Sequence, residues 1–409
     1  MEVLYERCCG IDVHHSFVVA GLSIVEAGQR RKEVRSFRCV TAELLALRDW
    51  LLSERCTHVA MESTGVYWRP VYRRLSGFCE VWLVNAQHLK AVPGRKTDVQ
   101  DAEWIADLLQ HGLLKPSLVP DQQQQEWRDL TRLRLKLVQE RSQLVNRVHK
   151  LLEDAGFKLH PTISDIFGVS GRAILQAMSQ GERDPERLAA LVHPRLYAKH
   201  DQLVEALTGD LRDHQRFLLG ELLCLLAAQE RAIQHIEQEI ERRMHAFEAV
   251  FTRLEAITGV SRRVLWVLFA EVGIDMNRYP DAAHLASWAG MCPGHDESAG
   301  KRRSGRTRPG NRYLRAALVQ AAHATARTNT YLGEQYRRLS KRRGSKRAAV
   351  AVGHSILVMY YQMMKTGGLY EEKGAEYFQQ GDQPRLQAQL VRRLEQLGYQ
   401  VSLARSPAA

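Results

Sequence analysis

The order in which hydrophobic periods follow one another over residues 1 to about 115 constrains this chain more than any other feature. The segment CCGIDVHHSFVVAGLSIV holds two short apolar runs with a break at His14–His15, as two neighbouring strands would. KEVRSFRCV alternates and predicts a third strand. TAELLALRDWLLSER repeats apolar residues at helical spacing, which predicts a helix with Thr41 as its N-cap. THVAME predicts a strand ending at Glu62, and GVYWRPVYRRLSG a short helix closed by Gly77. CEVWLVN predicts another strand, and DVQDAEWIADLLQHG a helix ending at Gly112.

The sequence of elements is therefore βββαβαβα, a meander followed by crossover units. That is the order of an RNase H-like α/β domain, although periodicity alone also admits other mixed sheets. The character then changes. QEWRDLTRLRLKLVQERSQLVNRVHKLLEDAG has apolar residues three and four apart and no proline or interior glycine, so it predicts one long amphipathic helix. After a middle that reads as irregular, RFLLGELLCLLAAQERAIQHIEQEIERRMHAFEAVFTRL predicts a second. The two can pair as an antiparallel coiled coil or offer a dimer surface, and a plain helical bundle fits equally. Further on, LEAITGVSRRVLWVLFAEVG predicts helix, tight turn and helix. With Gly259 at the turn and Arg262 and Arg263 opening the second helix, it matches a helix-hairpin-helix module that holds a DNA phosphate on backbone N–H groups. A simple αα-hairpin fits as well. NRYLRAALVQAAHATART and RAAVAVGHSILVMYYQMMKTG predict late helices, and the polar tail one more near RLQAQLVRRLEQLG. The expected domains are 1–118, a helical coiled-coil region 119–250, a mainly helical C-terminal domain 251–370, and a loosely held tail 371–409.

Composition narrows the function. The chain has 409 residues, 45% hydrophobic and 25% charged, which fits two or three globular domains. No apolar run reaches the ~18 residues of a membrane span, and the N-terminus lacks the pattern of a secretory signal. Seven scattered cysteines without a CxxC pair read as reduced thiols of a cytoplasmic protein, not as a zinc site or disulfide frame. A net charge of +12 favours a polyanionic partner, nucleic acid first.

Four acids stand where the expected fold gathers chemistry. Asp12 ends the first strand and Glu62 the fourth, while Asp98 and Asp101 open the helix after the fifth. Acids three apart at a helix start share a face. Converging carboxylates repel, and a divalent cation relieves the repulsion; hard oxygen ligands favour Mg²⁺, with Mn²⁺ as a substitute. Singly, Asp98 also reads as an N-cap, Asp101 as a charge suited to the helix N-terminus and Glu62 as a strand-end solvent residue. Asp12, in a central strand, is hardest to place without a partner.

Far downstream, CPGHDESAGKRRSGRTRPGNRYLR sets Ser298 on a Gly-rich segment before a run of cations: Lys301, Arg302, Arg303, Arg306, Arg308, Arg312 and Arg315, with Asn311 among them. Such cations can neutralise charge building on a phosphate, which makes Ser298 a candidate nucleophile on phosphorus. Ser304 competes, and the same residues also read as a flexible phosphate-binding loop with an incidental serine.

The motifs GIDVHHS, MESTGVYWRPVYRRL, NAQHLKAVPGRKTDVQDAEWIADLL, ITGVSRRVLWVLFAEVG, HLASWAGMCPGHDESAGKRRSGRTRPGNRYLRAALVQAA and AVGHSILVMYYQMMKTG, in this order, resemble those of the DEDD-type insertion-sequence transposases of the bridge-RNA-guided IS110 group. The resemblance covers most of the chain. It implies a RuvC-like N-terminal domain, a coiled coil and a C-terminal transposase domain. The family's four acids fall on Asp12, Glu62, Asp98 and Asp101, as catalytic residues and metal ligands. Its Pro-x(4)-Ser-x-Gly serine falls on Ser298, between Pro293 and Gly300, a spacing that Ser304 does not meet. Implied too are donor and target DNA, a structured noncoding RNA that pairs with both, a phosphoserine intermediate, Mg²⁺, and a dimer or tetramer. Two rivals remain: a RuvC-like nuclease or junction resolvase that uses water, and a non-catalytic nucleic-acid-binding protein.

Overall fold

The computed structural model describes residues 2–63, 65–85, 98–159, 162–194, 199–294, 296–298 and 301–403, with the backbone alone at 98–100, 296–298, 301–304, 379–386 and 389. The chain forms two compact units, Met1–Pro120 and Asp121–Ala409.

The first unit is built on a five-stranded sheet: β1 (Arg7–Val13), β2 (Phe17–Glu26), β3 (Gln29–Arg38), β4 (His58–Glu62) and β5 (Glu80–Val84), in spatial order β3-β2-β1-β4-β5. β1, β2 and β3 are antiparallel, and β4 joins β1 in parallel, followed by β5. This mixed sheet and its order fit an RNase H-like domain. Alternation sends Cys9, Ile11, Val13, Val59, Met61 and Leu83 to one face, where they pack on α1 (Thr41–Ser53) and α2 (Trp68–Leu75). Cys8, Ala60 and Val84 face the other way, onto Ile105, Leu108 and Leu109 of α3 (Asp98–Gln110). Thr41 is the first helical residue of α1 and not its cap: Val40 occupies the cap position, with no side-chain hydrogen bond.

One residue sets how closely α3 approaches the sheet. A Cβ at Gly10 would lie 2.2 Å from Ala102 O and 2.4 Å from Ala106 N, well inside contact distance of backbone that cannot swing aside. Only glycine lets the helix settle this low on β1, and that depth fixes where the helix N-terminus meets the strand.

The second unit is helical. α4 (Gln122–Asp154) starts at Asp121, whose side chain accepts from Gln124 N at 2.8 Å. It runs antiparallel to α8 (Asp213–Met244), with Arg134 to Glu237 at 2.6 Å, Arg141 to Glu230 at 2.8 Å and Arg243 to Glu126 at 2.6 Å along the seam. The stretch between them is not irregular as its sequence reads. α5 (Val169–Gln180), α6 (Pro185–Ala189) and α7 (His200–Ala206) cap the far end of the pair around Phe157, Ile174, Leu175, Leu188 and Leu203. These helices are short and punctuated by Gly and Pro, so no period persists long enough to show.

The rest folds around a larger core containing Trp127, Phe251, Leu265, Phe269, Leu318, Ile356 and Tyr360. It is built from α9 (Glu248–Glu255), α10 (Arg262–Glu271), α11 (Ala282–Trp288), α12 (Arg312–Thr325), α13 (Tyr331–Arg343) and α14 (Ser345–Thr366), with α15 (Tyr377–Gln396) following. Two strands, β6 (Asp296–Ser298) and β7 (Lys301–Ser304), stand between α11 and α12. Among the described residues no helix is long and apolar enough to cross a membrane.

Candidate active site and nucleic-acid interface

Strand register sets two of the four acids of the first unit side by side. β1 and β4 pair in parallel, with Gly10 beside Ala60 and Ile11 beside Met61, so Asp12 is next in line to Glu62, one strand spacing of about 4.8 Å away. By alternation both stand on the face that carries α3. That helix runs antiparallel to β1: Cys8 Sγ donates to Ala106 O at 3.6 Å, and Gly10 lies under Ala102. Four more residues toward the helix start rise about 6 Å, and two more residues along the strand about 6.6 Å. The step carries the backbone of Asp98 over Asp12, with Asp101 one turn in. Asp101 is half-buried, while the side chain of Asp98 lies outside the described residues. Among the described residues no three His, Cys, Asp or Glu side chains stand close enough to hold a metal ion. The donors that the topology gathers are all carboxylate oxygens, and that chemistry suits a hard divalent cation.

Asp12 has a neighbour whose role the sequence does not announce. Nε2 of His14 lies 2.9 Å from Oδ2 of Asp12, whose side chain is 13% exposed. The His14 ring stacks on Phe17, with centroids 4.4 Å apart. The imidazole is thus fixed against β2 beside the carboxylate. An i, i+2 pair at a strand end is the signal that would have found it.

In the second unit the Gly-rich segment is a hairpin and not an open loop. β6 and β7 are antiparallel, with Ser298 opposite Lys301, Glu297 opposite Arg302 and Asp296 opposite Ser304. Below them Pro293 bridges Thr307, and Gly294 N donates to Arg306 O at 2.8 Å. Ser298 therefore sits at the tip and Ser304 on the stem. The side chains of Ser298, Lys301, Arg302 and Arg303 lie outside the described residues. Arg306, Arg308 and Arg312 are exposed near the hairpin base, and the Arg312 guanidinium lies 4.8 Å from the centre of the Tyr313 ring. Arg315 faces inward. Its Nη2 donates to Gly290 O and, at 2.9 Å, to Arg308 O, tying both ends of the segment together.

The turn between α9 and α10 gives its residues protein partners. Gly259 has φ +84°, and a Cβ there would lie 2.5 Å from Ala321 O of α12. Arg262 donates to Glu241 at 2.9 Å and also pairs with Glu248, and its guanidinium lies 4.5 Å from the centre of the Phe251 ring. Hydrogen bonds to those two glutamates raise its pKa. Arg263 reaches Glu237 at 3.2 Å. Arg262 is half-buried among these partners, whereas the Arg263 side chain stays 63% exposed.

Sequence reasoning missed a buried polar hub. Glu271, at the end of α10, is fully buried. Arg132 of α4 grips it with two hydrogen bonds, Nε to Oε1 at 2.7 Å and Nη2 to Oε2 at 2.8 Å. Arg128 donates to Ala270 O at 2.8 Å and Glu271 O at 2.7 Å. Nδ2 of Asn311 donates to Glu271 Oε2 at 2.6 Å, while its Oδ1 caps α12 by accepting from Tyr313 N and Leu314 N, each at 3.1 Å. Asn311, expected on a phosphate, is therefore the anchor that fixes the C-terminal root of the hairpin segment to α4 and α10. An acid closing the apolar run RRVLWVLFAE is the signal that was available.

Two family models, both of transposases, match the chain. Residues 9–156 match the family model of DEDD transposases of the IS110 type, described as a transposase. Residues 251–337 match the model described as "Transposase IS116/IS110/IS902 family". A probable family 20 transposase of Pseudomonas aeruginosa is 28% identical over 66% of this chain and 71% of its own length. The transposase for insertion sequence element IS1111A of Coxiella burnetii is 25% identical over 72% and 74%. Among solved structures, RuvC of Thermus thermophilus matches 27% of this chain and 99% of its own at 16% identity, with a TM-score of 0.22.

Proposed function

The chain belongs to the IS110 family of insertion-sequence transposases, and we propose that it cuts and rejoins DNA through a covalent link to Ser298. The observation that carries this reading is the register placing Asp12 beside Glu62 beneath the start of α3.

In the proposed reaction Ser298 Oγ attacks a DNA phosphorus. An Oγ–P ester forms, the serine proton leaves, and the P–O bond to the departing deoxyribose breaks as that oxygen takes up a proton. A hydroxyl of another strand then reverses the exchange and frees the serine, so no bond energy is lost to water. Asp12, Glu62, Asp98 and Asp101 would hold a divalent ion, Mg²⁺ with Mn²⁺ as its substitute. When bound, that ion supplies positive charge for the phosphate oxygens. His14 keeps the Asp12 carboxylate turned toward the site, and Arg306, Arg308 and Arg312 hold the DNA backbone next to the hairpin. Asn311 and Arg315 keep the hairpin's roots in place.

A structured noncoding RNA pairing with donor and target DNA supplies sequence selection, as the family resemblance implies. The +12 net charge supports two nucleic-acid partners. A dimer or tetramer lets Ser298 of one subunit act with the acids of another. Phe217, Leu218 and Leu225, exposed on α8, support a protein contact along the long helix pair, whose packing as a coiled coil belongs to the same proposal.

The test is a nicked suicide substrate whose leaving strand diffuses away, run on a denaturing gel. The wild-type chain leaves a covalent protein–DNA band, and Ser298→Ala leaves none. Undiminished cleavage by Ser298→Ala would assign the chemistry to water and make the chain a nuclease.

A further inference from the structure

Among the described residues, the base of the hairpin and the turn between α13 and α14 enclose a groove of about 1260 Å³. Pro293, Gly305, Arg306 and Thr307 form one wall, so the groove begins at the foot of the strands that carry Ser298. Its floor is largely apolar, with Met291, Leu339, Val350 and Ala351. Arg343, Lys346 and Arg347 stand exposed on its rim.

The charge on that rim is of one sign. The run RRLSKRRGSKR, from Arg337 to Arg347, contains no acid. Several arginines elsewhere in the unit pair with carboxylates, Arg134 with Glu237, Arg141 with Glu230 and Arg262 with Glu241. Arg343, Lys346 and Arg347 have no such partner among the described residues. Like charges crowded on one edge repel, and a polyanion laid along them removes the repulsion. A duplex would satisfy the rim but not the floor, because its base faces are stacked inside. A single strand offers both, phosphates to the cations and unstacked base faces to the apolar floor. His354, whose pKa burial lowers, and the hydrogen-bonded pair Gln335 and Ser355 add polar groups for base edges.

We propose that this groove binds single-stranded DNA, the strand next to the phosphodiester that Ser298 attacks. The choice of DNA rests on the reading of Ser298 given above. The groove carries the strand away from the hairpin and keeps its end close enough to be rejoined.

The full-length chain is titrated into a short fluorescein-labelled DNA single strand, the same sequence as a duplex, and the same sequence as RNA, with binding read by anisotropy. Arg343→Glu/Lys346→Glu/Arg347→Glu lowers single-strand DNA affinity on the order of 100-fold and flattens its salt slope by about 2. Ala351→Trp, which fills the floor without changing charge, lowers it about tenfold and leaves duplex affinity unchanged. Affinity for the single strand that is unaffected by both variants overturns the proposal. So does an equal loss for duplex and single strand in Ala351→Trp, or a loss confined to RNA. Ser298→Ala binds the single strand as the wild type does, so a failed adduct experiment and a failed groove experiment point to different errors.

Discussion

Asp12→Asn lowers DNA cleavage and strand exchange by about three orders of magnitude or more, with DNA affinity retained. The side chains are nearly the same size, so β1 keeps its register and the Gly10 contact with α3 is undisturbed. What changes is the negative charge at Asp12, next in line to Glu62. The amide also takes the place of a charged carboxylate 2.9 Å from His14 Nε2. Single-turnover cleavage on a labelled substrate and anisotropy on an uncleavable one separate the two quantities. If activity falls only in step with the melting temperature, or DNA affinity falls equally, Asp12 is a structural acid and the site lies elsewhere.

The second large effect is on stability. Glu271→Ala destabilises the helical unit by about 3 kcal/mol, because it takes the carboxylate from the Arg132 guanidinium, which keeps only partial solvent exposure and the Tyr313 ring 4.5 Å away, and removes the anchor of Asn311. The α12 cap survives, since Tyr313 N and Leu314 N still find Asn311 Oδ1, so the helix persists while the hairpin's root loosens. Removing both charges is milder. Glu271→Leu/Arg132→Met replaces a buried ion pair with apolar groups, a change that is often close to neutral. Urea denaturation of the two variants gives the comparison. A double variant as unstable as the single would mean that packing, and not the unpaired charge, accounts for the loss.

How much of this was legible in the sequence depended on how far apart the partners lie. The sheet read correctly because each strand announces itself within five to ten residues. Its spatial order, β3-β2-β1-β4-β5, was not fixed by that alternation, which also admits other mixed sheets. The Asp12–Glu62 juxtaposition was legible only on the condition that their two strands are neighbours, and the pairing of β1 with β4 meets it. The hub was not, because Arg132 and Asn311 stand 139 and 40 residues from Glu271 and no local pattern links them. α13 was hidden by composition. YLGEQYRRLSKRRG looks like a basic loop, yet Leu332 and Tyr336 give it one buried face. The hairpin was hidden by its glycines, which mimic an open loop but leave β6 and β7 free to pair.

Manganese uptake by the full-length chain, followed by the loss of free Mn²⁺ signal in electron paramagnetic resonance, reaches the acid cluster without passing through catalysis. The wild type binds Mn²⁺, and Asp12→Asn and Asp101→Asn each weaken that binding about tenfold or more with the fold intact. Equal uptake by all three proteins would mean that these carboxylates share no ion, and that β1, β4 and α3 meet for structural reasons alone.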